Sequence, residues 1–207
     1  MSKNKLAITF VILFGIILFY VSTDGFHAFT AETARMYELQ KEKPKVPSIT
    51  LQDSMGRTYD FNSFAQDKMT FVTFMYTNCG TVCPQLEMNM AAVYEQIPKQ
   101  YFEEDISFLS ISFDPERDTP PVLNKYRSYF GSDGETWRMA RVTNQNELDL
   151  LLSTLGVIVI PDDYGNFQHN SAFYLIDEEG KLIEVMDFTK VDVAANTVLA
   201  YLEEKVR

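Results

Sequence analysis

The hydrophobic pattern divides the chain into three parts. Lys3 and Lys5 precede an uncharged apolar run from Leu6 to Val21. This run sits at the short edge of a bilayer span, which takes about 20 residues, and Ser22 and Thr23 lengthen it. Basic residues stand before it and no small-x-small cleavage site follows. It therefore reads as an uncleaved membrane anchor rather than a signal peptide of the same shape. Residues 24–39 mix polar positions with Phe26, Phe29, Met36 and Tyr37 and suit a short juxtamembrane helix. Residues 40–47 are charged, carry Pro44 and Pro47, and read as a linker. The expected parts are an anchor (1–23), a stalk and linker (24–46) and one folded domain (47–207).

Within the domain, periods of two and of 3.6 residues alternate. Residues 48–52 and 57–60 flank Asp53-Ser54-Met55-Gly56 and predict a hairpin. Residues 70–77 and 106–113 are apolar, β-rich runs that suit strands covered on both faces. Between them Leu86, Met90, Val93 and Ile97 recur at helical spacing and predict a helix over 83–97, stopped by Pro98. Helices are also predicted over 119–130, over 144–155 with Asn144 and Glu147 as a capping box, and over 192–205 with Ala195, Val198, Leu202 and Val206 inward. A short strand is predicted at 157–160. Residues 172–177 and 182–187 form a second hairpin about Gly180. A βαβ unit followed by a hairpin and a terminal helix is the thioredoxin pattern. The expected fold is α/β: a thioredoxin-like three-layer domain with an N-terminal β-hairpin extension, preceded by one transmembrane helix.

Composition narrows the chemistry. Of 207 residues, 46% are hydrophobic and 23% charged, which is ordinary globular usage and argues against disorder or a coiled coil. Net charge is -11, and the part beyond Lys3 and Lys5 carries 16 basic against 29 acidic residues. That balance argues against a nucleic-acid partner and fits a solvated surface or a basic partner patch. The positive-inside rule keeps Lys3 and Lys5 cytoplasmic and exports the domain. Two cysteines, Cys79 and Cys83, are too few for a disulfide scaffold. With His27 and His169 as the two histidines, a closed zinc site in the domain would need His27 to fold back.

Cys79 and Cys83 are spaced C-x₃-C just after the strand at 70–77. If the helix starts between them, both thiols meet at its N-terminus, where free N–H groups favour thiolate. Three readings stand. The pair is a structural disulfide or two buried thiols; it exchanges disulfides, with Cys79 attacking and Cys83 resolving; or it binds a soft metal. His169 lies just before the strand at 172–177. In a thioredoxin fold the chain entering that strand faces the cysteine helix, and redox members usually carry proline there. Cys79, Cys83 and His169 would then form an S₂N set suited to Cu(I), and to Cu(II) with an added donor. Asp114, Glu116, Arg117 and Asp118 read as a solvated turn with Asp118 starting a helix, or else as a partner-docking loop or an outer layer of the site. Met88 reads as packing, with a thioether near the metal as the alternative. His27 reads as an interfacial side chain and Trp137 as core or edge packing.

Tyr76-Thr77-Asn78-Cys79, Cys83-Pro84, the run from Ser112 to Pro120 (Ser-Phe-Asp-Pro-Glu-Arg-Asp-Thr-Pro), and His169 ahead of Tyr174-Leu175-Ile176-Asp177 resemble the Sco/SenC family. The resemblance runs roughly from Pro47 to Val206. It implies a membrane-anchored, thioredoxin-like protein that holds copper on the two cysteines and the histidine. It further implies a role in assembling the binuclear copper-A centre of cytochrome c oxidase subunit II, with that subunit or another copper-accepting protein as partner. The domain is then expected on the periplasmic or other extracytoplasmic side of the inner membrane. Two positions depart from the family pattern. Gly80 stands where proline is common, and Gln168 where an acidic residue often precedes the histidine. A thiol–disulfide reductase that keeps client cysteines reduced, and a copper or redox sensor, are the competing functions.

Overall fold

The computed structural model describes residues 3–23, 25, 30–102 and 104–205. His27, Phe26, Phe29 and Val206 lie outside the described residues. Helix α1 (Lys3–Ser22) is 20 residues long. At 1.5 Å per residue it measures about 30 Å, the thickness of a bilayer's hydrocarbon core. It is long and apolar enough to cross a membrane, and none of its apolar window is buried.

Helix α2 (Ala31–Glu42) opens on a capping box. Thr30 accepts from the Thr33 N–H at 3.1 Å, and the Thr30 N–H donates to the Thr33 hydroxyl at 2.9 Å. The helix runs three residues past the stalk segment expected to be helical, and the charged stretch at 40–47 is not a free linker. Leu39 and Val46 are buried, and Gln40 donates to Glu184. Val46 N–H donates to the Gly180 carbonyl at 2.8 Å, and Leu182 N–H to that of Pro44 at 2.9 Å. The physical reason is that Leu39 and Val46 anchor the stretch while its charges point outward.

Strands β1 (Thr50–Asp53) and β2 (Thr58–Asp60) form the expected hairpin. Buried Asp53 holds the turn by accepting the N–H groups of Met55 and Arg57. A short helix, α3 (Phe61–Ala65), follows; Asp60 caps it by accepting from Asn62 and Ser63. Strands β3 (Met69–Met75) and β4 (Ile106–Ser112) are buried at every position and pair in parallel, as their apolar runs require. Helix α4 (Val82–Gln96) joins them, with Leu86, Met90 and Val93 all fully buried. Each such side chain contributes about 1.5–3 kcal/mol of burial free energy.

The remaining elements are α5 (Pro120–Arg127), β5 (Trp137–Val142), α6 (Gln145–Thr154), β6 (Val159–Pro161), β7 (Phe167–His169), β8 (Phe173–Ile176), β9 (Leu182–Met186) and α7 (Val191–Lys205). The main sheet runs β2-β1-β5-β4-β3-β8-β9, so the N-terminal hairpin extends it beyond β5. Successive residues of a strand face opposite sides. Phe173 packs at a tilt against Phe71, which meets Phe108, which meets Tyr94 of α4. The next residue, Tyr174, turns its hydroxyl to Arg35 of α2 on the other side. Helices α4 and α7 pack together on the first face. The result is the expected three-layer, thioredoxin-like arrangement.

Two further features depart from the sequence reading. Strand β5 has no counterpart in the sequence reading, although Trp137, read as core or edge packing, is core and fully buried in it. The reason lies in Arg138 and Arg141, which interrupt its apolar run. Arg138 lies over the Tyr59 and Phe64 rings, and Arg141 donates to Gln52 and the Pro115 carbonyl. Likewise, 165–171 is not a plain loop. Asp162 accepts from the N–H groups of Tyr164 and Asn166, turning the chain so that β6 and β7 pair antiparallel.

Candidate metal centre

Strand β3 delivers the chain to Tyr76, and the turn 77–81 carries Cys79 to the start of α4. The Thr81 side chain makes no cap hydrogen bond, although the first turn of a helix leaves its N–H groups without partners. Sulfur fills that role: the Cys83 N–H donates to Cys79 Sγ at 3.3 Å. Burial works against ionisation of Cys79, yet the N–H groups of Cys83 and Thr81 outweigh it and hold this thiol below its ordinary range. Cys83, fully buried, is pushed the other way by burial, far above the ordinary range. Both cysteines are free thiols.

His169 ends β7 and faces α4. Its Nε2 lies 3.4 Å from Cys83 Sγ. Its Nδ1 lies 3.0 Å from the Asn170 carbonyl, which can only accept, so Nδ1 carries the proton and Nε2 presents its lone pair. Burial holds this imidazole below its ordinary pKa, against the opposing pull of Asn170, and keeps it neutral. The rings of Phe113, at 5.0 Å, and Tyr76, at 6.1 Å, wall it in. Phe167 packs edge-on against both. The donor atoms of Cys79, Cys83 and His169 lie within 4.8 Å of one another. The convergence expected from the sequence is thus present. Met88, by contrast, stands 62% exposed on α4.

Two acidic residues matter more than the sequence suggested. Asp118 is not a solvated helix start; Thr119 is the N-cap, and Asp118 is fully buried. Its carboxylate accepts from the Thr77 N–H at 3.0 Å and from the hydroxyls of Thr77 and Ser112 at 2.5 Å each. It ties the cysteine turn to β4. Beside it Arg117 pairs with Asp114, donates to the Gly165 carbonyl and covers the Phe167 ring, joining this loop to the β6–β7 hairpin.

Glu87 is the second. It lies one helical turn beyond Cys83, fully buried, and Ser110 donates to its Oε2 at 2.9 Å. Burial raises its pKa to about 8, so at neutral pH it is a neutral acid beneath the cysteine pair. A raised folded-state pKa gives stability that is full below the unfolded value and is lost as pH rises through the folded one. Stability is therefore expected to fall between pH 4.5 and about 8. Glu87→Gln should flatten that fall, gaining roughly 2–4 kcal/mol over the wild type at pH 8 and little at pH 4.5. Urea unfolding at a series of pH values checks it; parallel pH curves for the two proteins would show that Glu87 is not held neutral.

The model of the SCO1/SenC family matches residues 38–205. The chain belongs to the SCO1/SenC family. Among its Sco relatives is the SCO1 protein homolog of Bacillus subtilis, 25% identical over 142 residues, covering 68% of this chain and 72% of that protein. The fold matches Bradyrhizobium japonicum ScoI, solved with copper bound, at a TM-score of 0.62 and 23% identity, covering 77% of this chain and 98% of that one. It also matches BsSco, a Sco-family cytochrome c oxidase assembly protein described with a disulfide switch, at a TM-score of 0.66 and 23% identity, covering 78% and 95%. Phe167 beside His169 and Glu87 beneath the cysteines are residues to which the sequence assigns no role. Tyr76, Phe113 and Asp118 lie within the motifs that carry the family resemblance, and of these Asp118 takes the outer-layer alternative. For Glu87 a signal existed: Cys83, Glu87 and Met90 share the buried helical spacing.

Proposed function

We propose that this chain is a membrane-anchored copper chaperone of respiratory oxidase assembly. Cys79, Cys83 and His169 hold Cu(I) and pass it to the copper-A site of cytochrome c oxidase subunit II or to another copper-accepting protein. The observation that carries this reading is the approach of two sulfurs and one neutral imidazole nitrogen to within 4.8 Å, a donor set that suits Cu(I). Family membership and the fold shared with ScoI, solved with copper bound, support it. Cu(I) displaces the thiol proton of Cys83 on binding, while Cys79 is already inclined to ionise. Release is ligand exchange with client thiolates or imidazoles, with no net electron transfer. Helix α1 anchors the chain, with Lys3 and Lys5 cytoplasmic and the domain on the opposite side.

The unequal thiols favour a second reading. Cys79 thiolate attacks a client disulfide, forms a mixed disulfide and releases one client thiolate. Cys83 then attacks Cys79 Sγ, releasing the second; the client gains two electrons and this chain becomes the disulfide. Anaerobic titration of the full chain in detergent with Cu(I), against a chromophoric chelator, separates the two. One copper per chain is expected. No binding, together with efficient reduction of a substrate disulfide, would replace the chaperone by the reductase.

A further inference from the structure

Helix α2 reaches from the membrane side of the chain to the far side of the sheet from α4, where Leu39 and Gln40 hold its C-terminal half and Arg35 its N-terminal half. Arg35 is 12% exposed and braced from behind by Glu32, whose two oxygens accept from its Nε at 3.0 Å and its Nη2 at 2.5 Å. Its Nη1 donates to the Gly156 carbonyl at 3.1 Å and lies 3.4 Å from both the Leu155 carbonyl and the Tyr174 hydroxyl. Gly156 is shaped for this approach. It has a φ of +62°, and a Cβ there would come within 3.1 Å of Leu39 Cδ1 and 3.2 Å of Arg35 Nη1.

The same Gly156 carbonyl accepts a second hydrogen bond, from Asn170 Nδ2 at 3.2 Å. Asn170 Oδ1 accepts the Ile158 N–H at 2.7 Å, which locks the amide in place. The backbone carbonyl of Asn170, at 3.0 Å, is the nearer of two groups at His169 Nδ1; the Ser171 hydroxyl lies at 3.3 Å, and a hydroxyl can serve either tautomer, so the carbonyl is the one that selects between them. One carbonyl therefore joins the membrane-proximal helix to the partner of the imidazole.

We propose that α2 is a positioning element for His169. Arg35 fixes the Gly156 carbonyl, which fixes Asn170, which fixes the tautomer and aim of the imidazole. The inference deepens the copper reading and rests on it, since its affinity readout needs His169 as a ligand. Docking of α2 then sets how firmly the third donor is presented. When α2 lifts away, the two-thiolate pair remains but the imidazole is freed to turn.

The test compares full-length wild type, Arg35→Ala, His169→Ala and the double variant in detergent, by Cu(I) competition titration. Losing a contact of this outer kind costs about 10–100-fold in metal affinity. Arg35→Ala is expected to lose at least about 10-fold in the wild-type background and nothing further in the His169→Ala background. Equal losses in both backgrounds, or none in either, overturn the proposal. A metal-free readout runs beside it: ¹⁵N shifts of the imidazoles, with two histidines to assign. The wild type is expected to show His169 protonated at Nδ1, and Arg35→Ala a mixture of tautomers; an unchanged tautomer overturns the relay. Asn170→Ala cuts the same relay at its other end and must reproduce the affinity loss without adding to that of Arg35→Ala. Failure of the copper reading looks different: wild type and His169→Ala would then bind copper alike or not at all, while the tautomer readout still decides the relay.

Discussion

Cu(I) affinity is expected to collapse when Cys83 is replaced by serine and to fall by more than about 100-fold when His169 is replaced by alanine, the upper cost of disturbing an outer contact. A serine hydroxyl is a hard donor, and Cu(I) selects soft ones. Cys83→Ser also removes the sulfur that His169 Nε2 faces at 3.4 Å. Loss of the imidazole leaves the two sulfurs in place, so His169→Ala keeps residual binding where Cys83→Ser keeps none. Alkylation of Cys79 should proceed at its wild-type rate in His169→Ala, because the N–H groups that favour its thiolate belong to α4 and its turn. Competition titration read against alkylation rate makes the distinction. Unchanged copper affinity in His169→Ala removes the histidine from the ligand set and shifts the balance toward disulfide exchange.

Asp118→Ala is expected to cost about 3–5 kcal/mol of folding stability, a large share of the 5–15 kcal/mol typical of a domain. The buried carboxylate takes three hydrogen bonds, two from Thr77 and one from Ser112. Hydrogen bonds to a charged group are worth about 1.5–3 kcal/mol each, and their loss strands a buried N–H and two hydroxyls. Asp118→Asn keeps one accepting oxygen and should lose roughly half as much. Trp137, the single tryptophan and fully buried, reports unfolding by fluorescence. A cost below about 1 kcal/mol would mean that water replaces the carboxylate without penalty. Because Thr77 lies two residues before Cys79, the same substitution should loosen the cysteine turn and weaken copper binding alongside stability.

The elements legible in the sequence are those whose burial is unmixed. Strands β3 and β4 are covered on both faces, so their apolar runs are unbroken and their ends are clear. Strand β5 is equally internal to the sheet, yet Arg138 and Arg141 carry charge into it. Aromatic rings and the carboxylates of Asp53 and Glu135 face Arg138, Gln52 and a carbonyl take Arg141, and only tertiary contact reveals this. The site shows the same contrast. Cys79, Cys83 and His169 could be picked out because so few residues of their kinds exist in the chain. Asp118 could not, since an aspartate before Thr119-Pro120-Pro121 has the look of a helix start. Its inward turn is decided by Ser112, six residues away, and by Thr77, 41 residues away. Residues 40–47 hid their attachment in the same way: charge and proline dominate the composition, while the backbone of Pro44 and Val46 fastens the strand-like end to Leu182 and Gly180.

The unequal burial of the two sulfurs fixes an order of events. Cys79 keeps 9% of its surface open to solvent, whereas Cys83 keeps none. Associative exchange needs a newcomer to reach the metal or the sulfur before an old bond breaks. On the proposed copper route a client thiolate has no approach to Cys83, so the bond to Cys83 is expected to be exchanged last, after those to Cys79 and to half-buried His169. Cys83, the one donor with no exposed surface, holds on until the newcomer is in place. The cargo is never free in solution along that route, and the queue in which its bonds are traded is written into the depth of two atoms.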